Sequence, residues 1–150
     1  MSGDSTGSPA WRTFLLVILL AALVRLFLSS QLVCISPDGV HFVTYAKQLG
    51  DDPIPILRTT TKQPGYAYLL LGTHRLLGSA FGGDTPLAWQ RCGQMLAALG
   101  GTVACGLIFW LTRRLFDDTS AAIAAIFAAF WWQGAQLSAD VLSDMPAIWM

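Results

Sequence analysis

Charged residues are scarce in this sequence of 150 residues: they make up 12% of it, about half of their usual share in a soluble domain. Hydrophobic residues account for 54%, and nine basic and nine acidic side chains cancel to a formal net charge of zero. So little charge cannot cover the surface of a soluble fold of this size. The even balance also excludes nucleic-acid binding, which requires a basic face. The composition therefore indicates an integral membrane protein.

Cysteine is also rare. The three that are present, Cys34, Cys92 and Cys105, are odd in number and fit no metal-binding spacing, so they predict no disulfide framework. A pairing of Cys34 with Cys92 stays open, but a buried free thiol is the commoner state of cysteine. We therefore interpret these residues as free thiols.

Three predominantly apolar runs are long enough to cross a bilayer as helices, which takes about 20 residues. They cover residues 14–33, 90–112 and 119–138, and another apolar run starts at 143–150. The rival interpretation of the first run is a signal peptide, which has a shorter apolar core and a small-x-small cleavage site. We predict an all-α fold, a polytopic transmembrane helix bundle formed by residues 13–150 after a disordered tail of residues 1–12. Because the last run has no polar cap, we expect the first part of a longer protein or a truncated product.

Arg25 is the one charge in the first span. Its cost near the bilayer centre, about 3 kcal/mol, is offset by the surrounding Leu, Ile, Phe and Val residues. Two interpretations stay open: a charge packed between helices, which we favour, or a partner for an anion inside the bundle. Close packing is also expected from the small residues Ala97, Gly101 and Cys105 of the second span and from the alanines of the third.

The distribution of Lys and Arg predicts the orientation. Arg12 precedes the first span, and Arg113 and Arg114 form the turn between the second and third spans, so all three should share the cytoplasmic side. The 34–88 loop then lies on the outer side of the cell (inner) membrane. Its four basic residues do not argue against this, because long loops translocate largely regardless of charge. Trp89 is expected at the membrane interface.

Two amphipathic helices are predicted in the 34–88 loop. Residues 36–38 form a helix start, with Ser as N-cap, Pro at the first position and an acid in the first turn, and Gly50 should end this helix. The second helix should begin at Pro64 and end before Gly78. Both are too short to span the bilayer and should lie along its surface, joined by an extended connector at 51–61. One face of the second helix should contain Tyr66, Leu69, Leu70, Thr73 and Leu77.

Asp38 is the first candidate for chemistry, because a helix N-terminus favours an ionised carboxylate. At a water–lipid boundary such a group can act as a general base or bind a divalent cation. Lys62, His74 and Arg75 offer cations for a phosphate in the headgroup layer. Each has an ordinary alternative: Asp38 as a plain helix-start acid, and the cations as snorkelling interface residues.

The order of the segments is distinctive. A first span with an internal Arg leads into Asp38-Gly-Val-His-Phe, then Lys62-Gln-Pro-Gly-Tyr, an Arg-Arg-Leu-Phe turn and Val141-Leu-Ser-Asp-Met-Pro. This order resembles the N-terminal part of C-fold-class membrane glycosyltransferases, in the protein-mannosyltransferase and aminoarabinose-transferase group. The resemblance covers residues 25–150 and rests on short, degenerate motifs. It implies inverting transfer of a sugar from a polyprenyl-phosphate donor to an acceptor on the outer or lumenal side.

The resemblance also implies roles for individual residues. Asp38 would be the catalytic base, alone or together with Asp144. Lys62 would lie near the phosphate of the lipid donor, with Arg75 and His74 as further phosphate-binding candidates. A carboxylate would then remove the acceptor proton while cations stabilise the leaving polyprenyl phosphate.

A divalent metal cation is a further implication, with Asp38, Asp144 and Asp140 as its candidate ligands. Many members of the group have two adjacent acids in the first loop, whereas Asp38 is followed by Gly39. A metal would therefore need Asp144 or Asp140 to complete its site. The alternative function is a non-catalytic polytopic membrane protein or a transporter fragment, in which Arg25 would line a permeation path.

Overall fold

The computed structural model describes residues 7–32, 36–59 and 64–131, and these residues form helices joined by short links. No strand occurs in the described ranges, so the predicted all-α class is confirmed for them. In chain order the elements are α1 (Gly7–Gln31), α2 (Pro37–Asp51), α3 (Pro53–Thr59), α4 (Pro64–Leu77), a 3-10 turn (Gly78–Phe81), α5 (Pro86–Leu115) and α6 (Asp118–Phe130).

The three helices α1, α5 and α6 pack against one another through small residues. In α6 the alanines at every fourth position face inward and are fully buried, because four residues make about one helical turn. Ala97, Gly101 and Cys105 of α5 are buried as well, so the predicted packing role of these small residues is confirmed. The two layers of this core contain Val17, Phe109, Ala121 and Ala125, and next to them Ala21, Cys105 and Ala129.

Two of these helices, α1 and α5, are long and apolar enough to cross a membrane. Only 17% of the apolar stretch of α1 and 33% of that of α5 are buried within the protein, whereas the core helix of a soluble domain is mostly buried. The outward-facing apolar side chains of α1 and α5 therefore favour an apolar environment around these two helices. α6 covers the first part of the predicted third span, and residues 132–138 and 143–150 lie outside the described ranges.

Helices α2 and α4 form a second layer that packs on the first turns of α5. We call this the α2–α4 layer. The helices predicted in the 34–88 loop are thus confirmed, and α2 begins as expected: the Ser36 hydroxyl accepts a hydrogen bond from the Gly39 N–H at 3.1 Å. The core of this layer contains Tyr45, Ala46, Leu49, Tyr66, Ala67, Leu70 and Leu71, together with Trp89 and Cys92 of α5.

The predicted extended connector is wrong, because residues 53–59 form the short helix α3. Pro53 and Pro55 lie in its first turn, where the backbone N–H groups have no intrahelical partner, so proline costs no hydrogen bond there. Helix α1 begins at Gly7, within the segment assigned to the tail.

The buried face of α4 is rotated from the predicted one. Leu69 was expected on that face but is 44% exposed, whereas Ala67 and Leu71 are buried. The helix contacts both α2 and α5, so its buried stripe is wider than contact with one partner would require. In α2, Gly50 does not end the helix, which continues to Asp51.

Candidate functional site

Asp38 lies in the first turn of α2 and its side chain is exposed. The chain leaves α1 at Gln31 and starts α2 at Pro37, so this carboxylate lies close in sequence to the point where the long apolar helix ends. Ser36 caps the helix and Pro37 occupies its first position, which fixes Asp38 at the positive end of the α2 dipole. A base that receives a proton from a substrate has to be accessible, and Asp38 is.

The two predicted phosphate-binding cations in α4 differ in their surroundings. Arg75 is exposed in the last turn of the helix. His74 is partly buried, its ring stacks on Trp89 at 3.7 Å between ring centroids, and its Nε2 lies 3.0 Å from the Gly83 carbonyl oxygen. Because a carbonyl only accepts, Nε2 is the donor. Internal contacts thus hold His74, while Arg75 faces outward.

Trp89 is the centre of a group that sequence reasoning missed. Its indole N–H donates to the Asp84 carboxylate at 2.5 Å, and Lys47 Nζ lies 3.6 Å from the same oxygen and 5.3 Å from the Trp89 ring centroid. The indole hydrogen bond, followed by the charge of Lys47, holds the pKa of Asp84 below its ordinary value of 3.8. We call Lys47, His74, Asp84 and Trp89 the tryptophan cluster.

The tryptophan cluster ties α2, α4 and the residues before α5 to the first turns of α5. Trp89 was expected to face the membrane interface, but its side chain is only 3% exposed and packs inside the protein. The sequence signal for this was weak: the partners of Trp89 are a lysine, a histidine and an aspartate that are far apart along the chain. The arrangement is a structural link between layers, since most of its polar groups are engaged with one another.

Arg25 is packed between helices, which confirms the favoured interpretation of this residue. It is 2% exposed and donates to the Ala21 carbonyl oxygen at 3.1 Å and to Cys105 Sγ at 3.3 Å. Its Nε has no hydrogen-bond partner within the described part of the chain. The guanidinium is therefore enclosed by α1 and α5.

A cleft of about 430 Å³ separates the end of α1 from the start of α5. Arg91 lies exposed at this cleft, and the Gln94 side chain is 6% exposed within it. The amides of Gln90 and Gln94 both point at the Leu32 carbonyl oxygen, each at 3.4 Å. Local sequence patterns do not predict this cleft, because it depends on how two helices that are distant in the chain meet.

Three other predicted site residues, Lys62, Asp140 and Asp144, lie outside the described residues, so their meeting with Asp38 stays a prediction. Within the described ranges, no three His, Cys or Asp side chains come together as a metal-binding group. A divalent cation at Asp38 would require ligands from elsewhere in the chain, since hard cations take six or more oxygen ligands.

Comparison with known proteins yields no relative. No protein-family model matches the chain, and no match was found among curated proteins or among solved structures. Any functional assignment therefore has to be argued from the residues and the geometry described above.

Proposed function

We propose that this chain is the N-terminal portion of a membrane glycosyltransferase. It would transfer a sugar from a polyprenyl-phosphate donor to an acceptor on the outer side of the membrane. In this proposal α1, α5 and the span that begins with α6 form a polytopic bundle with a cytoplasmic N-terminus. The 34–88 loop, folded as the α2–α4 layer, then lies outside. The observation that carries the proposal is the exposed carboxylate of Asp38 at the start of that layer.

The proposed chemistry is a single displacement at the anomeric carbon. Asp38, alone or with Asp144, takes the proton from the acceptor hydroxyl, whose oxygen then bonds to the anomeric carbon. The bond from that carbon to the phosphate oxygen breaks, and Lys62 and Arg75 stabilise the leaving polyprenyl phosphate. Arg75 suits this role better than His74, because His74 Nε2 is bonded to Gly83.

The rival function is a non-catalytic membrane protein or a transporter fragment. A transporter would use the intramembrane charge of Arg25 along a path for its substrate. The enclosure of Arg25 between α1 and α5, with bonds to Ala21 and Cys105, leaves this charge 2% exposed and speaks against such a path. The exposed candidate residues Asp38 and Arg75 lie instead in the α2–α4 layer, which favours a surface reaction.

The test is transfer of labelled sugar by membranes from cells that express the protein at its native length. The donors are a panel of polyprenyl-phosphate hexoses and pentoses. Asp38→Asn keeps the size of the side chain and removes the base, so we expect the rate to fall by about a hundredfold or more at unchanged expression. Asp52→Asn is the matched control: it removes an exposed charge just after the other end of α2 and should leave transfer unchanged.

Two further variants refine the assignment. Asp144→Asn should reduce transfer more than Asp140→Asn does. Near-normal transfer by Asp38→Asn would show that another group is the base. Failure of the unmodified protein to use any donor in the panel would contradict the proposed reaction itself.

A further inference from the structure

The cleft between the end of α1 and the start of α5 combines an apolar wall with one exposed cation. Its volume of about 430 Å³ is in the range of small-molecule sites. The cleft lies where the outward faces of two apolar helices give way to polar residues: Ser29 and Ser30 near the end of α1, and Gln90 and Arg91 near the start of α5. A membrane-spanning arrangement of these helices would put the cleft at the level of lipid headgroups.

The polar side chains that line the cleft all carry a hydrogen-bond donor. Arg91 makes no hydrogen bond or ion pair with any residue of the described ranges. Gln94 is nearly buried, and its hydrogen bond to the Leu32 carbonyl oxygen is 3.4 Å long, beyond the usual range for N–H···O. Ser29 Oγ is buried without a partner in the described structure. None of the described residues that line the cleft carries a carboxylate, so its polar side is suited to an anion.

The apolar wall of the cleft continues onto the outer surface of the helices. Leu26 of α1 and Met95 of α5 line the cleft about one turn nearer the middle of their helices than Ser30 and Arg91. Leu26 is 52% exposed. A hydrocarbon chain that leaves the cleft along Leu26 and Met95 therefore runs towards the apolar middle of α1 and α5. A guanidinium forms paired, charge-assisted hydrogen bonds with a phosphate.

We infer that this cleft binds the phosphate group of an amphiphile, with the phosphate at Arg91 and the hydrocarbon chain along Leu26 and Met95. Two sources share this chemistry: an isoprenoid phosphate and a phospholipid of the bilayer. If the ligand is the isoprenoid, the inference rests on the proposed transfer and deepens it, because it assigns the donor phosphate to Arg91. Binding itself requires no turnover.

The test measures the affinity of the purified protein in detergent for three probes: farnesyl phosphate, the uncharged farnesol, and dihexanoylphosphatidylglycerol. We expect at least one phosphate probe to bind about tenfold or more tightly than farnesol, as a charged hydrogen bond allows. Arg91→Gln should remove this preference. The matched control is Arg58→Gln, which removes an exposed charge from α3, away from the residues that line the cleft, and should keep the preference.

The probes identify the source, because the one whose binding depends on Arg91 shares the chemistry of the natural ligand. Equal affinity of the unmodified protein for farnesol and for both phosphate probes would overturn the inference. So would an equal loss of binding in Arg91→Gln and Arg58→Gln. Binding that depends on Arg91 in a protein without transfer activity would support the site and reject the transferase. Transfer activity without Arg91-dependent binding would support the transferase and reject the site.

Discussion

At the scale of single residues, Arg25 shows how the bundle accommodates a charge. The guanidinium lies between α1 and α5 with only a carbonyl oxygen and a thiol sulfur as partners, so its positive charge has no carboxylate beside it within the described ranges. Removing one ion from water costs several kcal/mol even after relaxation, and two weak hydrogen bonds recover only part of this. Arg25 therefore fills space between helices at a cost in stability.

Replacing Arg25 by Met tests this explanation, since Met has similar length and no charge. We expect Arg25→Met to favour insertion by about 2.5–3.5 kcal/mol and to raise the thermal unfolding midpoint in detergent. Arg12→Met removes an exposed arginine at the other end of α1 and should change the midpoint little. A clear loss of stability in Arg25→Met alone would show that the guanidinium pairs with an anion, the interpretation we disfavour.

At the scale of elements, the end of α4 depends on a glycine. A Cβ on Gly78 would lie 2.9 Å from Nε2 of His74. The ring cannot move away freely, because it stacks on Trp89 and is bonded to Gly83. The tryptophan cluster therefore leaves no room for a side chain at residue 78, where the 3-10 segment begins.

Two glycine variants should consequently change stability in opposite directions. Gly78→Ala should lower the free energy of unfolding by about 1–3 kcal/mol, as overpacking does. Gly72→Ala, in the same α4 region, places its Cβ in open space and should raise this free energy by about 0.5–1 kcal/mol, since Ala favours the helix. Chemical denaturation of both variants beside the unmodified protein provides the measurement. Equal effects would argue against the packing of His74.

Local signals made most of these elements predictable. The start of α2 follows from Ser36 and Pro37, and the ends of α4 from Pro64 and Gly78, because caps and turns depend on adjacent residues. Helix α3 was missed because its two prolines have the same signature in an extended chain as in a first helical turn. The tryptophan cluster and the Arg91 cleft were beyond prediction, since they require the tertiary arrangement of α1, α2, α4 and α5.

At the scale of the whole molecule, the two ends of the bundle differ. The α2–α4 layer packs on the first turns of α5, at one end. At the other end the Phe14 ring contacts Phe109 at 5.3 Å between centroids, which brings the start of α1 beside the end of α5. There Arg113 pairs with Asp118 at 2.6 Å across the α5–α6 turn. Arg12 and this basic turn thus lie at the same end, as the positive-inside rule would require of a cytoplasmic side.

We propose that these two ends lie on opposite sides of a membrane, with Asp38 and the α2–α4 layer outside. Single cysteines at exposed positions test it in a Cys34→Ser background, because Cys92 and Cys105 are buried. We expect a membrane-impermeant maleimide to label Gln48→Cys, on α2, in intact cells. It should label Phe116→Cys, in the α5–α6 turn, only after the membrane is permeabilised. Labelling of Gln48→Cys only after permeabilisation, or of both positions alike in intact cells, would contradict the account.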